Sequence, residues 1–383
     1  MKYYLIAGEA SGDLHGSNLM KGLYARDPDA DIRFWGGQRM EEVFRAHQSG
    51  TGLVKDYRDG AVMGYLEVFL KGFSLLRKVR LCREDIAAWK PDVVILIDYP
   101  GFNFKVAKFA HQAGFRVFWY IAPKVWASRE GRIRKLKAWV DRLYIVFPFE
   151  KAYFQRHGVP FTYAGNPLLD AVDGSPALSE TREEFLRRSG LPDAPWIALL
   201  AGSRSMEIGQ MMPVYMQVAD AWHARHPEQH FVVAAAPSRS RADYAPYVGE
   251  RDFVHVVFGE TYGVLRHASA AVINSGTASL EATLIGTPQV VTYRVAPLSA
   301  MIMRRLIRVP YVSLTNLILE RMAVKELLQE NFTPEKVLSE LEGLVLDPAV
   351  RSAQQADDAR VRQLLGSSGA SQAIAADIFQ QLQ

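Results

Sequence analysis

Ala270-Ala271-Val272-Ile273-Asn274-Ser275-Gly276-Thr277-Ala278-Ser279-Leu280-Glu281 is the stretch from which the fold is read. It opens as a short apolar run with β-branched residues and closes on helix formers, with Asn, Ser, Gly and Thr between. That order predicts a buried strand, a tight turn and a helix. Ser275 and Thr277 stand where an N-cap belongs, and Gly276 where the backbone must come close to something. A helix N-terminus carries unpaired N–H groups and about half a positive charge, so such a unit can hold a phosphate.

Working outward, the strand-then-glycine design returns at Leu199-Leu200-Ala201-Gly202-Ser203-Arg204 and at Tyr3–Ala7 followed by Gly8-Glu9-Ala10-Ser11-Gly12-Asp13. Short runs rich in Val, Ile, Phe and Tyr read as strands at Ile32–Trp35, Val93–Ile97, Phe115–Ile121 and Leu143–Phe147. Further along, Trp196–Leu200, Phe231–Ala235, His255–Phe258, Ala271–Ile273 and Gln289–Thr292 read the same way. Helical patterns alternate with them: His15–Arg26, Leu66–Trp89, Phe104–Gln112, Ile133–Val140, Glu150–Arg156, Gly209–Ala224, Tyr262–Ala268 and Ala278–Ile285. Alternation of this kind means parallel sheets covered by helices, with the strand C-termini and their loops on one edge. Gly165-Asn166-Pro167 to Ser175-Pro176 reads as a linker, and Thr333-Pro334-Glu335 starts a purely helical end. The expected fold is α/β. Two doubly wound, Rossmann-like domains cover 1–165 and 166–345, and helices over 346–383 can pack back on the first domain.

The 383 residues suit two domains, and 49% hydrophobic with 22% charged residues describes an ordinary globular chain. A formal charge of +4 is mildly basic and suits an anionic substrate or membrane face. The single cysteine, Cys82, excludes an internal disulfide framework and points to a reducing compartment. The N-terminus reaches Gly8 and Glu9 too early for a signal peptide, and no apolar run is long enough to span a bilayer. A cytoplasmic protein is therefore expected.

The first loop matches neither the dinucleotide fingerprint nor the Walker pattern, which argues against a nicotinamide or ATP site. In the second domain, Gly202-Ser203-Arg204 and Asn274-Ser275-Gly276-Thr277-Ala278 sit at strand ends of one sheet. Together they can hold a diphosphate, the arginine by charge and the helix by its N–H groups. Glu281, one turn into the helix, can accept from two ribose hydroxyls, and Phe258-Gly259 can receive a base. Asp27-Pro28-Asp29-Ala30-Asp31 reads as a solvated turn, and His226–His230 lacks the metalloprotease spacing, so no metal or other cofactor is expected. Tyr65–Arg80 and Leu298–Arg308 combine large apolar residues with basic ones, as interfacial helices do.

These residues resemble the lipid-A-disaccharide synthase family, glycosyltransferases of the two-domain GT-B type. The resemblance covers nearly the whole chain. It rests on Ala7-Gly8-Glu9-Ala10-Ser11-Gly12-Asp13, Val62-Met63-Gly64, Ile97-Asp98-Tyr99-Pro100-Gly101-Phe102-Asn103 and Tyr120-Ile121-Ala122-Pro123 with Val125-Trp126-Ala127. Phe147-Pro148-Phe149-Glu150, Gly202-Ser203-Arg204, Ser275-Gly276-Thr277-Ala278 with Glu281, and Tyr311–Leu317 complete it. Departures fall at Lys124, Ser128, Asn166 and Ala201. The resemblance implies transfer from UDP-2,3-diacylglucosamine to 2,3-diacylglucosamine 1-phosphate (lipid X), giving a β-1,6 disaccharide and UDP with inversion, at the inner membrane. It also implies substrate contacts at Ser11, Met63, Asn103, Lys124, Trp126 and Asn316. No nucleic-acid partner is expected, and a homodimer stays open. The all-apolar strand Val93–Ile97 delivers Asp98 to a strand end as the candidate general base, with Glu9 ranked second and Asp13 a further rival. The competing readings are a UDP-GlcNAc 2-epimerase or soluble glycosyltransferase on the same fold and, more distantly, a non-enzymatic sugar-nucleotide binder.

Overall fold

The computed structural model describes residues 1–58, 67–297, 300, 301, 305 and 309–383, with the backbone alone for 67–74. It divides into two units, Met1–Ala171 with Ser367–Gln383, and Val172–Gly366. The expected tail at 346–383 is thus shared between them, parting at Gly366.

In the first unit the described strands are β1 (Lys2–Ala7), β2 (Asp31–Gly36), β3 (Leu53–Asp56), β4 (Val93–Ile97), β5 (Arg116–Tyr120), β6 (Arg142–Ile145) and β7 (Thr162–Tyr163). All pair in parallel, in the order β3-β2-β1-β4-β5-β6-β7. The helices are α1 (Ala10–Arg26), α2 (Gln38–His47), α3 (Glu67–Trp89), α4 (Pro100–Gln112), α5 (Ile133–Trp139) and α6 (Glu150–Arg156). The residues of β4 are completely buried, as a central strand covered on both faces requires. Burying each contributes roughly 1.5–3 kcal/mol. The last helix, Ala370–Leu382, packs on α1, where a Cβ at Gly22 would lie 2.7 Å from that of Ala375. Asp377 fixes it by accepting from Arg142 and from the Tyr144 hydroxyl, both at 2.7 Å.

α7 (Pro167–Asp173) leads into the second unit. The stretch expected as a linker is therefore helical. Asn166 Oδ1 accepts from Leu168 N at 2.9 Å and Pro167 takes the first helical position, a start signal that the neighbouring glycine obscured. The second unit follows with α8 (Arg182–Ser189), β8 (Trp196–Leu200), α9 (Ser205–His223), β9 (His230–Ala235), α10 (Arg241–Val248) and β10 (Val254–Phe258). After them come α11 (Thr261–Arg266), β11 (Ala270–Asn274), α12 (Thr277–Ile285), β12 (Gln289–Tyr293) and β13 (Glu326–Leu328). Helices Leu314–Leu319, Pro334–Leu346 and Pro348–Leu365 complete it. Its sheet is also parallel, in the order β10-β9-β8-β11-β12-β13.

Each order runs outward from a first strand in one direction and then resumes on its other side. The reversal lies between β1 and β4 in one unit and between β8 and β11 in the other. At such a point the flanking loops diverge and leave a crevice beyond the strand C-termini, where open α/β sheets bind ligands.

Candidate active site

At the reversal in the first unit, β4 ends in Asp98 and Tyr99, both left-handed with φ of 41° and 47°. For residues with a Cβ this conformation costs roughly 1–2 kcal/mol apiece and is held by surrounding contacts. Asn103 supplies one, its Nδ2 donating to the carbonyls of Ile97 at 3.3 Å and Asp98 at 2.7 Å. Tyr99 supplies another, because its ring lies on Gly8 so closely that a Cβ there would sit 2.3 Å from it. The glycine after β1 is thus required by a protein ring. Burial pushes the partly buried Asp98 carboxyl up to about 6; the Lys124 charge opposes the shift and that of Glu9 adds to it.

Glu9 is the N-cap residue of α1, which starts at Ala10 instead of the expected His15, and Ser11 Oγ reaches its Oε1 at 3.5 Å. Asp13 is engaged in the fold instead. It is buried and accepts from Gly37, Arg39 and Met40 N–H at 2.8, 3.1 and 3.1 Å, closing the N-terminus of α2. Asn103, expected at the substrate, is fully buried and works beneath the turn. Lys124 is exposed on the loop after β5, whose first residue, Ile121, is also left-handed at φ 62°. Trp126 Nε1 donates to Glu150 Oε1 at 2.8 Å, while Glu150 Oε2 accepts from Val146 and Phe147 N–H at 2.9 and 3.0 Å. Burial pushes the Glu150 carboxyl up to about 7. Met63 lies outside the described residues.

In the second unit the reversal brings the two glycine-bearing loops together. Gly202 is left-handed at φ 96°, and a Cβ on it would meet Glu207 Oε2 at 2.4 Å and Asn274 Nδ2 at 2.7 Å. Glu207, unmarked in the sequence reading, accepts from Ser203 N at 3.0 Å and Arg204 N at 3.2 Å, and pairs with the exposed Arg204 guanidinium at 2.9 Å. α9 therefore closes its own N-terminus with a carboxylate. Arg239 was missed too; its Nε donates to Ser203 O and its Nη1 to Ser205 Oγ, both at 2.7 Å.

α12 is different. Its N-cap is Gly276, not the expected Ser or Thr, and no side chain caps it among the described residues. A Cβ at Gly276 would meet only the Asn274 carbonyl oxygen, at 4.0 Å, so its backbone faces open space. Ser275 turns its hydroxyl to Val312 O at 3.4 Å. Asn274 is buried, and its Oδ1 has no partner among the described residues, the mark of a group completed by something external. The N–H groups of Thr277 and Ala278 thus remain for an anion. Glu281, one turn on, accepts from Tyr262 Oη at 3.0 Å. Phe258 ends β10, and Gly259 after it is left-handed at φ 75°. From β10 to β11 is three strand spacings, about 14 Å.

Asn316, expected at the substrate, is fully buried. Its Nδ2 donates to Val324 O and Glu326 Oε1, and its Oδ1 accepts from Ala323 and Val324 N–H, all at 2.8 Å. With every bond used inside the fold, it braces the loop behind Ser275. No group of three or more His, Cys, Asp or Glu able to hold a metal occurs among the described residues. No helix among them is long and apolar enough to cross a membrane. Along the part of Tyr65–Arg80 whose side chains are described, Val79 is buried while Leu76, Arg77 and Arg80 are exposed.

Residues 3–379 match the family model described as lipid-A-disaccharide synthetase. The chain is 38% identical over 380 residues to the lipid-A-disaccharide synthase of Geobacter metallireducens, covering 99% of this chain and 96% of that one. It is 36% identical over 373 residues to that of Syntrophus aciditrophicus, covering 96% and 94%. Among solved structures it is similar to UDP-GlcNAc 2-epimerase from Neisseria meningitidis bound to UDP-GlcNAc, with a TM-score of 0.71, 14% identity and coverage of 99% and 100%. It is also similar to the calicheamicin glycosyltransferase, with a TM-score of 0.57, 16% identity and coverage of 99% and 98%. At those identities the structures speak for the fold.

Proposed function

The chain belongs to the lipid-A-disaccharide synthetase family, glycosyltransferases with the GT-B fold that make the lipid A disaccharide, and from that premise we propose its substrates, stereochemistry and site roles. The donor is UDP-2,3-diacylglucosamine and the acceptor 2,3-diacylglucosamine 1-phosphate. The donor diphosphate sits at the N-terminus of α12 with Arg204 beside it, the ribose on Glu281 and the base toward Phe258-Gly259. No metal takes part. Asp98 removes the proton from the acceptor 6-hydroxyl as that oxygen attacks the anomeric carbon from the face opposite UDP, which inverts the centre and gives a β-1,6 bond. The proton passes to Asp98 and the electron pair leaves with UDP. The enzyme works at an anionic membrane face, held by the apolar and basic side of α3.

One observation carries this reading: the carboxyl of Asp98, set on a left-handed turn at the end of the central strand β4 where the sheet reverses, with burial raising its pKa to about 6. A base needs a pKa near the working pH, high enough to take a proton and low enough to be ionised. The test is incubation with the two acylated sugars and mass spectrometry for the disaccharide. Its absence, with both substrates recovered intact, would sink the assignment. The epimerase alternative predicts a 2-epimeric sugar from UDP-GlcNAc alone, and that assay is run alongside.

A further inference from the structure

A cavity of about 720 Å³ opens in the second unit beyond the C-terminal ends of β12 and β13, with Val295, Pro297, Ala300 and Met301 as its apolar wall and Gln210 and Arg294 among its polar lining. The size is that of a small-molecule site. Arg294 belongs to the wall itself: its guanidinium lies 4.7 Å from the Phe332 ring centre and donates to the carbonyls of Phe332 and Gln329. Gln210 follows Glu207 by about one turn of α9. Tyr293, the residue before Arg294, has its phenol raised by burial and by the Glu207 carboxylate, with Arg204 opposing. The cavity therefore adjoins the phosphate-facing loops, on the side away from β10.

The strand order gives the direction. Along one sheet edge come Phe258-Gly259 after β10, then β9, Arg204 after β8, the open N-terminus of α12 after β11, and the cavity past β12 and β13. A nucleotide-sugar with its base at β10 and its diphosphate at α12 points its sugar, and whatever the sugar carries, toward that cavity. Resting on the donor site described above, we propose that the cavity receives an acyl chain of the donor, and that Val295 and Met301 set the chain length it accepts. The apolar wall supplies the affinity. Met301, 58% exposed at the mouth, is a flexible thioether suited to chains of differing bulk.

The experiment is calorimetry on the full chain with UDP, and with a series of UDP-2,3-diacylglucosamines of increasing acyl length kept below aggregation. In the unmodified protein, affinity should climb with length by up to about fourfold per buried methylene. Val295→Trp, which thrusts an indole into the apolar wall and narrows the cavity, should flatten that climb and leave UDP affinity unchanged. A climb that survives Val295→Trp overturns the assignment. So does an equal loss for UDP, which would give the cavity to the nucleotide. A matching series of acylated glucosamine 1-phosphates should be indifferent to the substitution; sensitivity there gives the cavity to the acceptor and overturns the proposal. Failure of the unmodified protein to bind UDP overturns the donor site itself, a result distinct from UDP binding without chain-length dependence. If Val295→Trp melts early, Met301→Trp at the exposed rim replaces it, with the same readings.

Discussion

Asp98 joins two properties that folding alone disfavours, a left-handed backbone without glycine and a partly buried carboxyl whose pKa burial raises. Proteins keep such features where the surroundings enforce them, and here Asn103 and Tyr99 do so. With a pKa of about 6 the group takes up a proton as pH falls through 6, so turnover should drop on the acid side and level off above it. Asp98→Asn should lose that acid limb and lower turnover about 10²–10⁴-fold, with UDP affinity and melting temperature little changed. Steady-state rates across pH decide it. An Asp98→Asn enzyme of near-normal rate, beside a Glu9→Gln enzyme without the limb, would move the role to Glu9. The position of Asp98 was legible because five apolar residues announce a central strand, and Asp98 follows its last residue. Asn103 and Asn316 were read toward the substrate because the sequence does not show whether an Asn faces a ligand or a carbonyl folded onto it. Asn316 spends all its bonds inside the fold, while Asn103 turns only its Nδ2 inward and its Oδ1 has no partner among the described residues. Glu207 did leave a signal: it follows Arg204 by three residues, the spacing of a residue that closes its own helix start.

α12 is the element on which the proposed donor binding turns, and the contrast with α9 supports that placement. Both follow central strands through a glycine-bearing loop, yet Glu207 occupies the Ser203 and Arg204 N–H groups leading into α9, while no side chain caps α12 among the described residues. If Arg204 adds its charge to that site, Arg204→Ala should weaken UDP binding by roughly 1.5–3 kcal/mol, the range for a charged hydrogen bond. Unchanged affinity in calorimetry would leave the diphosphate to α12 alone. The helix is braced from behind by Pro348–Leu365, which packs on it and on β12, where Gln354 Oε1 accepts from Gln289 N at 2.5 Å and its Nε2 donates to Gln289 O at 3.1 Å. Asp358 of that helix is 3% exposed, and burial, with the Asp357 charge adding, pushes its carboxyl up to about 8. The unfolded chain ionises Asp358 near 3.9. Between that value and about 8 the native state binds more protons than the unfolded one, so the group's contribution to stability falls as pH rises. Asp358→Asn should therefore raise the melting temperature above pH 8 and make little difference below the carboxylate range. Equal melting curves at both ends would refute the buried neutral acid. The helical character of this bracing segment was legible from Thr333 onward, but its packing on α12 and β12 was not, and the strands β3, β7 and β13 and the helices α2, α8 and α10 were missed. They are short elements, and their patterns depend on neighbours that the sequence does not show side by side.

At the scale of the molecule, both units present the loops singled out from sequence at a sheet reversal, β1 with β4 and β8 with β11, because alternating strands and helices with right-handed crossovers permit few other orders. Domain class was legible for that reason. What the whole surface does at a membrane follows from charge and exposed apolar area together. The chain carries a formal +4, too little by itself to hold it on a lipid surface. α3 is the proposed docking element: Val79, Cys82 and Ile86 are buried, while Leu76 is 56% and Leu81 47% exposed, with Arg77 and Arg80 beside them. Each such cation near an anionic leaflet contributes about 1 kcal/mol, and that part fades with salt as the screening length shrinks to about 8 Å at physiological strength. The apolar part does not fade in this way. Binding to anionic vesicles should thus weaken with salt without vanishing, and neutral vesicles should retain only the salt-insensitive remainder. Reversing Arg77 and Lys78 to Glu should abolish the salt-dependent part, with circular dichroism unchanged because Arg77 is exposed and Lys78 only partly buried. Leu76→Ser should lower the remainder that salt leaves. If the charge-reversed protein still sediments with anionic vesicles as the parent does, α3 is not the docking face, and the assay moves to Met301, itself 58% exposed.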